Sequence, residues 1–395
     1  MVCVFDVKRE CEELFDEVVA IRRDFHKHPE LGFQEVRTAG IVAEKLREYG
    51  LEVKTGINKT GVVGLLRGAQ PGKTVLLRAD MDALKVNEEN ECDYKSEIEG
   101  VMHACGHDAH TAMLLVAAKV LSRHRDEIKG NIKFLFQPSE ENFPGGALGM
   151  IEEGVLEDPH VDAVFGQHVW AGIPSGKIGV RPGPIMAAPD EFRLTIKGKG
   201  GHGSAPHLGV DALVIGAQVV LALQTLVSRE IDPLNPAVVS IGTFNSGTVM
   251  NAIPSETKMT GTVRLTDPEL RKEMPDKIER IVKGVCDAMR GEYSLEYVHG
   301  YPPTVNDPEM TELAGEALRE AFGEENIVDP GISMGGEDFS YFLEKVPGSF
   351  IMLGITNEEK GIDKNNHHPK FDIDENALPL GVEALVRIAL KFLNS

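Results

Sequence analysis

Residues 73–84, KTVLLRADMDAL, and residues 102–124, MHACGHDAHTAMLLVAAKVLSRH, decide the fold between them. The first is an apolar run closing on Arg78 and Asp80, the pattern of a buried strand. The second packs Cys105, His103, His107, His110 and Asp108 into its opening and then takes on helical periodicity from about His110. A strand, a polar loop and a long helix in that order predict a βα unit. The loop then lies near the carboxyl end of the strand, the edge where open α/β sheets gather ligands and catalytic groups.

Working outward, residues 8–28 (KRECEELFDEVVAIRRDFHKH) predict an amphipathic helix stopped by Pro29, and residues 34–49 predict a second. VVGLLRG (62–68), NIKFLFQP (131–138) and DAVFGQH (162–168) read as further short apolar strands between helical or loop segments. That alternation implies a mixed, mostly parallel sheet with helices on both faces, an α/β fold. From Pro189 the pattern changes. EFRLTIKG (strand), VDALVIGAQVVLALQTLVS (helix), AVVSIGTFN and KMTGTVRLT (strands), PELRKEMPDKIERIVKGVCDAMR (helix) and YSLEYVHG (strand) run in the order β-α-β-β-α-β. This ferredoxin-like order can close as a small domain. Pro275 inside the second helical pattern makes either Pro268 or Pro275 its start. The α/β pattern then resumes with a helix near 309–322, a strand GSFIMLGI and a closing helix near 375–392. The expected organisation is a metal-binding domain built from 1–186 and 303–395, with an inserted domain over 187–302.

A chain of 395 residues exceeds what one core usually supports, which agrees with two domains. The formal charge of -21 and the lack of a basic stripe argue against nucleic acid and against an anionic membrane face as partners. Cys3, Cys11, Cys92, Cys105 and Cys286 are odd in number and scattered, which suits a reducing compartment. The opening MVCVFDVKRECEEL acquires charge too soon for a signal peptide, and no apolar segment is expected to span a bilayer. The expectation is a cytoplasmic globular protein.

The groups able to hold a metal come from four segments: Cys105 and His107, Glu140 and Glu141 in QPSEEN, His168 in FGQHVW, and His367 with His368 in NHHPKFD. Thiolate, imidazole and carboxylate together suit zinc or another borderline transition ion, whereas calcium and magnesium want oxygen. Five or more ligands exceed a tetrahedral structural site and favour two metals in a hydrolytic centre. Of the paired glutamates, one can bind metal while its neighbour acts as base. His103 and His110 outnumber the coordination positions and are expected to be structural; His26, His28, His124, His160 and His299 are expected to be structural or on the surface. Cys105 acting as a nucleophile with a histidine base would leave the two glutamates without a task.

The chain resembles the dinuclear metallopeptidase family of aminoacylases, glutamate-releasing carboxypeptidases and succinyl-diaminopimelate desuccinylase. It is most similar to the amidohydrolase branch with hippurate hydrolase, N-acyl-amino-acid amidohydrolases, auxin-conjugate hydrolases and N-acetyldiaminopimelate deacetylase. The motifs that carry this are HPELGFQE (28–35), RADMDAL (78–84), MHACGHDAH (102–110), QPSEE (137–141), GQHVW (166–170), GKGGHGSAPH (198–207), NAIP (251–254), GTVR (261–264), GGEDFSYF (335–342) and HHPKFDIDE (367–375).

The resemblance implies Cys105, His107, Glu141, His168 and His367 as ligands of two divalent ions (zinc, manganese, cobalt or nickel), with Glu140 as general base. It selects His367 over His368 because the branch's ligand stands two residues before the proline. It further implies a homodimer or higher homo-oligomer in which the insert serves as lid and dimerisation domain. His202 then reaches a partner's active site to polarise the scissile carbonyl, and Asn251 and Arg264 help hold the carbonyl and the substrate carboxylate. The implied activity is hydrolysis of N-acyl amino acids. The alternatives are a carboxypeptidase or dipeptidase on small peptides and, in another class, a non-catalytic metal-binding protein. Two segments depart from the branch's pattern, ENFPGGALG after the glutamates and LKVNEENECDY after Ala83, and both leave the acyl preference open.

Overall fold

A computed structural model describes residues 5–395, so Cys3 and the start of the N-terminal segment lie outside the described residues. The chain divides into two compact units. One holds the chain up to Gly183, Val305–Gly331 and Asp338–Ser395; the other holds Pro184–Thr304 and Ile332–Glu337.

The first unit is built on an eight-stranded sheet. Its spatial order is Glu52–Ile57, Gly61–Arg67, Lys129–Gln137, Gln70–Asp80, Ala163–Pro174, Gly348–Thr356, Ile178–Gly179, Ile327–Val328. The four central strands, from Lys129–Gln137 to Gly348–Thr356, pair in parallel. The pairs Glu52–Ile57 with Gly61–Arg67, Gly61–Arg67 with Lys129–Gln137, and Gly348–Thr356 with Ile178–Gly179 are antiparallel. The sheet is therefore mixed and mostly parallel. Thr74–Asp80 and Gly348–Ile355 are buried at every residue, which is how a strand covered on both faces differs from an alternating one. The His107–Arg123 helix carries buried residues all round, from Ala109 to Leu121, and packs against the closing Leu378–Leu393 helix.

Some local expectations change. The periodicity over 8–28 forms two helices, Val7–Glu13 and Phe15–Lys27, with Leu14 turning between them and its N–H bonded back to Cys11 O at 3.3 Å. The helix expected from about His110 begins at His107, because Gly106 adopts a left-handed φ of 88° and its carbonyl accepts the N–H groups of Ala109 and His110.

The second unit carries a four-stranded antiparallel sheet in the order Ala237–Ser246, Glu256–Leu265, Ala188–Lys197, Glu292–Val298. The Ala212–Thr225 and Pro268–Met289 helices complete the β-α-β-β-α-β order. The second helix starts at Pro268 and runs through Pro275; Asp267 caps it by accepting from Glu269 and Leu270 N–H. Residues 332–337 fold with this unit, where Ala187 N–H bonds Ser333 O and Gly335 O.

No spanning segment is expected from the sequence, yet Ala212–Glu230 (19 residues, mean hydropathy 1.6) is long and apolar enough to cross a membrane. Its physical reason is two-sided. Ala212, Ile215, Val219 and Leu223 are buried in the unit's own core, and Leu213, Val214 and Leu221 add apolar surface that is 40%, 42% and 65% exposed.

Candidate metal centre

Four segments of the first unit come together, three of them outside the strands and one inside the Ala163–Pro174 strand. Cys105 and His107 flank Gly106, at which a Cβ would lie 2.3 Å from Val169 Cγ2, so only glycine permits the close approach. His168 stands inside the Ala163–Pro174 strand, and its Nε2 is 3.4 Å from Cys105 Sγ. Its Nδ1 donates to Val169 O at 2.6 Å, which leaves the lone pair of the neutral ring on Nε2, on the side of Cys105. Glu141 Oε1 is 3.2 Å from His367 Nε2 and 3.9 Å from His107 Nε2. The donor atoms of Cys105, His107 and His168 lie within 4.8 Å of one another, as do those of Cys105, Glu141 and His367, and those of His107, Glu140 and Glu141. Shared corners make one continuous cluster. His368 turns instead to local work, accepting Lys370 N–H on Nδ1 at 2.9 Å.

Two of these segments carry non-glycine residues in the left-handed region, Ser139 at φ 50° and His367 at φ 70°. Such strain costs on the order of 1–3 kcal/mol per residue and persists only where the surroundings impose it. Here Glu35 Oε1 holds Ser139 N–H at 2.8 Å, just before Glu140, and Ala104 O holds His367 N–H at 2.7 Å. Asn366 ties the same loop down, donating to Cys105 O at 3.3 Å and Val169 O at 3.4 Å. The unusual segment after Ala83 braces it from the other side: Glu89 N–H bonds Pro369 O at 2.8 Å and Asn90 Nδ2 bonds Phe371 O at 2.8 Å. In the other unusual segment, Phe143 presents an aromatic ring that is 50% exposed two residues beyond Glu141.

Asp82 organises the centre. Its Oδ1 lies 3.3 Å from His107 Nδ1 and accepts Glu140 N–H at 2.9 Å, while Oδ2 accepts Glu141 N–H at 3.1 Å. A carboxylate on one imidazole nitrogen fixes the tautomer and turns the other nitrogen toward a metal. His110 is occupied otherwise. Its Nδ1 bonds Asp80 Oδ1 at 2.6 Å and its Nε2 accepts Val169 N–H at 2.8 Å, so neither nitrogen is left for a ligand. Behind it, Arg78 bonds Asp80 Oδ2 at 2.5 Å, Asp338 Oδ1 at 3.0 Å and Gln137 Oε1 at 3.0 Å. His103 is buried, and burial lowers it to about 4, which makes it a neutral side chain.

The electrostatics fit a cation. Burial, reinforced by Glu141, Glu140 and Asp80, pushes the Cys105 thiol well above its ordinary range. For His107, burial opposes the charge, but Asp80, Asp82 and Glu141 overcome it and hold the imidazolium up to about 10. Burial would raise Glu141, yet His367 and His107 lower it. His168 is lowered far by burial and by His110. Among the described residues His107 Nε2 is buried without a hydrogen-bond partner, and Glu141 Oε1 meets the His367 imidazole at 3.2 Å. A buried nitrogen left unpaired in this way costs about 1–3 kcal/mol. Soft and borderline donors with unsatisfied lone pairs turned toward each other are the arrangement that a divalent transition ion satisfies.

In the second unit, His202 ends the short strand Gly201–His202, which pairs with Ala252–Ile253. Asn251 is its neighbour, its backbone O accepting Gly203 N–H at 2.8 Å. Arg264 stands near the end of the Glu256–Leu265 strand opposite Pro189, half-buried, and burial lowers its pKa despite Glu191 and Asp190. Asp82, Asp80 and Asn366 are supporting residues to which the sequence attaches no role, and His110, expected to be structural, joins them.

The profile of peptidase family M20/M25/M40 matches residues 76–391. Thermostable carboxypeptidase 1 of Saccharolobus solfataricus is 44% identical over 391 residues, 98% of each chain. An N-acyl-L-amino acid amidohydrolase of Geobacillus stearothermophilus is 50% identical over 301 residues, 76% of this chain and 81% of that one. Among solved structures, the Bacillus subtilis YXEP protein, described as a dinuclear metal binding peptidase from the M20 family, superposes with a TM-score of 0.85 at 35% identity, covering 97% of this chain and 99% of that one.

Proposed function

The chain belongs to peptidase family M20/M25/M40, and from that premise we propose that it is a metal-dependent amidohydrolase that removes the acyl group from N-acyl amino acids. The observation that carries this is the unpaired, buried His107 Nε2 set 3.9 Å from Glu141 Oε1, with Glu140 anchored beside them through the same Asp82. The ligands of the reading are Cys105, His107, Glu141, His168 and His367, and the ions are two of zinc, manganese, cobalt or nickel. Bound there, such ions supply Lewis-acid polarisation of the carbonyl and bring the pKa of water toward neutrality.

The remaining work belongs to side chains. Glu140, buried and turned into the cluster, takes a proton from the attacking water and delivers it to the amide nitrogen as the C–N bond breaks, so that a carboxylate and an amine leave. His202 donates to the carbonyl oxygen as it gains charge. Asn251 assists there, and Arg264 receives the substrate carboxylate, for which a guanidinium is suited by its paired donors. His202 acts from a partner subunit in this reading. A homodimer or higher homo-oligomer is supported by the exposed Leu213, Val214 and Leu221 of the Ala212–Thr225 helix, apolar surface of a kind that marks interaction sites. A cytoplasmic location is supported by Cys11, Cys92, Cys105 and Cys286, all of them free thiols.

The relative named a carboxypeptidase favours a second reading, cleavage of small peptides. The two differ only in the acyl part. A panel of N-acetyl and N-benzoyl amino acids and dipeptides, assayed with each of the four metals in turn, separates them. Higher kcat/KM on the N-acyl amino acids is the expected result, and a consistent preference for dipeptides overturns it. A non-catalytic metal-binding protein would have no use for Glu140, and turnover of any amide in the panel that Glu140→Gln abolishes excludes it.

A further inference from the structure

His202 lies at the surface of the second unit, and its ring is held by one neighbour. The backbone N–H of Ser204 reaches His202 Nδ1 at 3.1 Å, and Ser204 Oγ lies 2.8 Å from the same nitrogen. The hydroxyl alone decides nothing, because it can donate or accept. The amide decides, because it can only donate. Nδ1 must present its lone pair, and the single proton of the neutral ring then sits on Nε2.

The surrounding loop holds that contact in place. Gly203 N–H bonds Asn251 O at 2.8 Å and Ala205 N–H bonds His202 O at 2.9 Å, so the chain turns back over the ring directly after it. At Gly203 a Cβ would stand 3.0 Å from Asn251 O, tighter than ordinary contact, which suits glycine there. Among the described residues the ring makes no other hydrogen bond, so Nε2–H is available as a donor.

We infer that Ser204 is a positioning residue that fixes His202 in the Nε2–H tautomer, so that a neutral imidazole offers its proton to the carbonyl oxygen of the substrate. The inference rests on the reading of His202 as the carbonyl donor and deepens it. A donor aimed at developing negative charge acts in the transition state more than in the ground state, so loosening it lowers kcat and leaves KM nearly unchanged.

The tautomer can be read without turnover. In full-length protein with 15N-labelled histidine, long-range proton–nitrogen correlation spectra distinguish a protonated ring nitrogen from one bearing a lone pair, and His202→Gln identifies the His202 signals. The expected result at neutral ring charge is a lone-pair Nδ1 and a protonated Nε2. Ser204→Ala, which removes the hydroxyl and keeps the amide, should leave Nδ1 as the lone-pair nitrogen and lower kcat about threefold or less, a small part of the roughly 100 to 1,000-fold that loss of a whole oxyanion donor brings. Ser204→Thr should match the wild type in both readouts, and Ser204→Pro, which also removes the amide donor, should mix the two tautomers and lower kcat about threefold to tenfold further than Ser204→Ala. A wild-type ring protonated on Nδ1 overturns the inference, as does a folded Ser204→Pro variant with unchanged tautomer and unchanged kcat. Failure of the functional reading is a different result: His202→Ala would then keep full activity, whatever the tautomer in the wild type.

Discussion

Asp82 and His107 face each other with Oδ1 3.3 Å from Nδ1, and the same carboxylate collects the backbone N–H groups of Glu140 and Glu141. One side chain thus orients a proposed ligand and fixes the peptide that carries both a ligand and the proposed base. Asp82→Asn keeps the shape but replaces one acceptor oxygen with an NH₂ and removes the charge. Orienting partners of this kind typically affect metal affinity by 10 to 100-fold. Competition against a graded chelator should show Asp82→Asn weakened within about that range, and kcat should fall as well. An unchanged affinity would remove Asp82 from the centre.

Much of the side-chain cluster was legible because its residue types are rare together: Cys105 and His107 two apart, a glutamate pair after a strand, and a His367–His368 pair ahead of a proline. His110 was set apart from His107 as structural, but the partner that occupies it was not legible. Both are buried on the first turns of one helix, and only Val169 N–H, which arrives from a neighbouring strand, takes up His110 Nε2. Asp82 is the same case, since its partners Glu140 and Glu141 are 58 and 59 residues away along the chain. The β-α-β-β-α-β order was legible from periodicity. The break at Leu14 and the run of the Pro268–Met289 helix through Pro275 depend on capping and packing, which periodicity does not record.

Glu140 and Glu141 should separate cleanly on substitution. Glu140→Gln removes a proton carrier and should keep metal near the wild-type content while kcat falls about a hundredfold or more, the span usual for general acid–base groups. Glu141→Gln should lose metal, since its Oε1 lies among the atoms proposed to bind it. Elemental analysis alongside steady-state kinetics checks both. Metal loss in Glu140→Gln with retention in Glu141→Gln would mean the two roles are exchanged.

Lys133 gives the first unit a pH-dependent stability of its own. The ammonium is buried in the Lys129–Gln137 strand, donating to Val155 O at 2.9 Å and Glu157 O at 2.6 Å, and burial lowers its pKa to about 8. An amine whose folded pKa lies below its unfolded value of about 10.4 binds fewer protons folded than unfolded between those values. Its contribution to stability is therefore unfavourable below about 8 and improves as pH rises through the window. Lys133→Met should remove this component. Denaturant unfolding from pH 7 to 10 should show the wild type gaining on the variant as pH increases, and parallel curves would contradict the assignment.

The proposed action of His202 across a subunit interface can be tested by complementation. Glu140→Gln and His202→Ala should each be inactive alone, the first for want of a base and the second for want of a carbonyl donor. The proposed ligands and Glu140 belong to the first unit and His202 to the second, so the two lesions can be brought together from separate chains. If His202 works in trans, a mixed dimer has one site in which intact Glu140 from one chain meets intact His202 from the other. Random mixing of equal amounts makes half of the dimers mixed, and one of two sites in each is whole, so about a quarter of the wild-type activity should return at a donor loss of order 100-fold or more. Native mass spectrometry with one chain isotopically heavy confirms that subunits have exchanged. Exchange without recovered activity would reject the trans arrangement, and recovery that needs no exchange would show that one of the variants was never inactive.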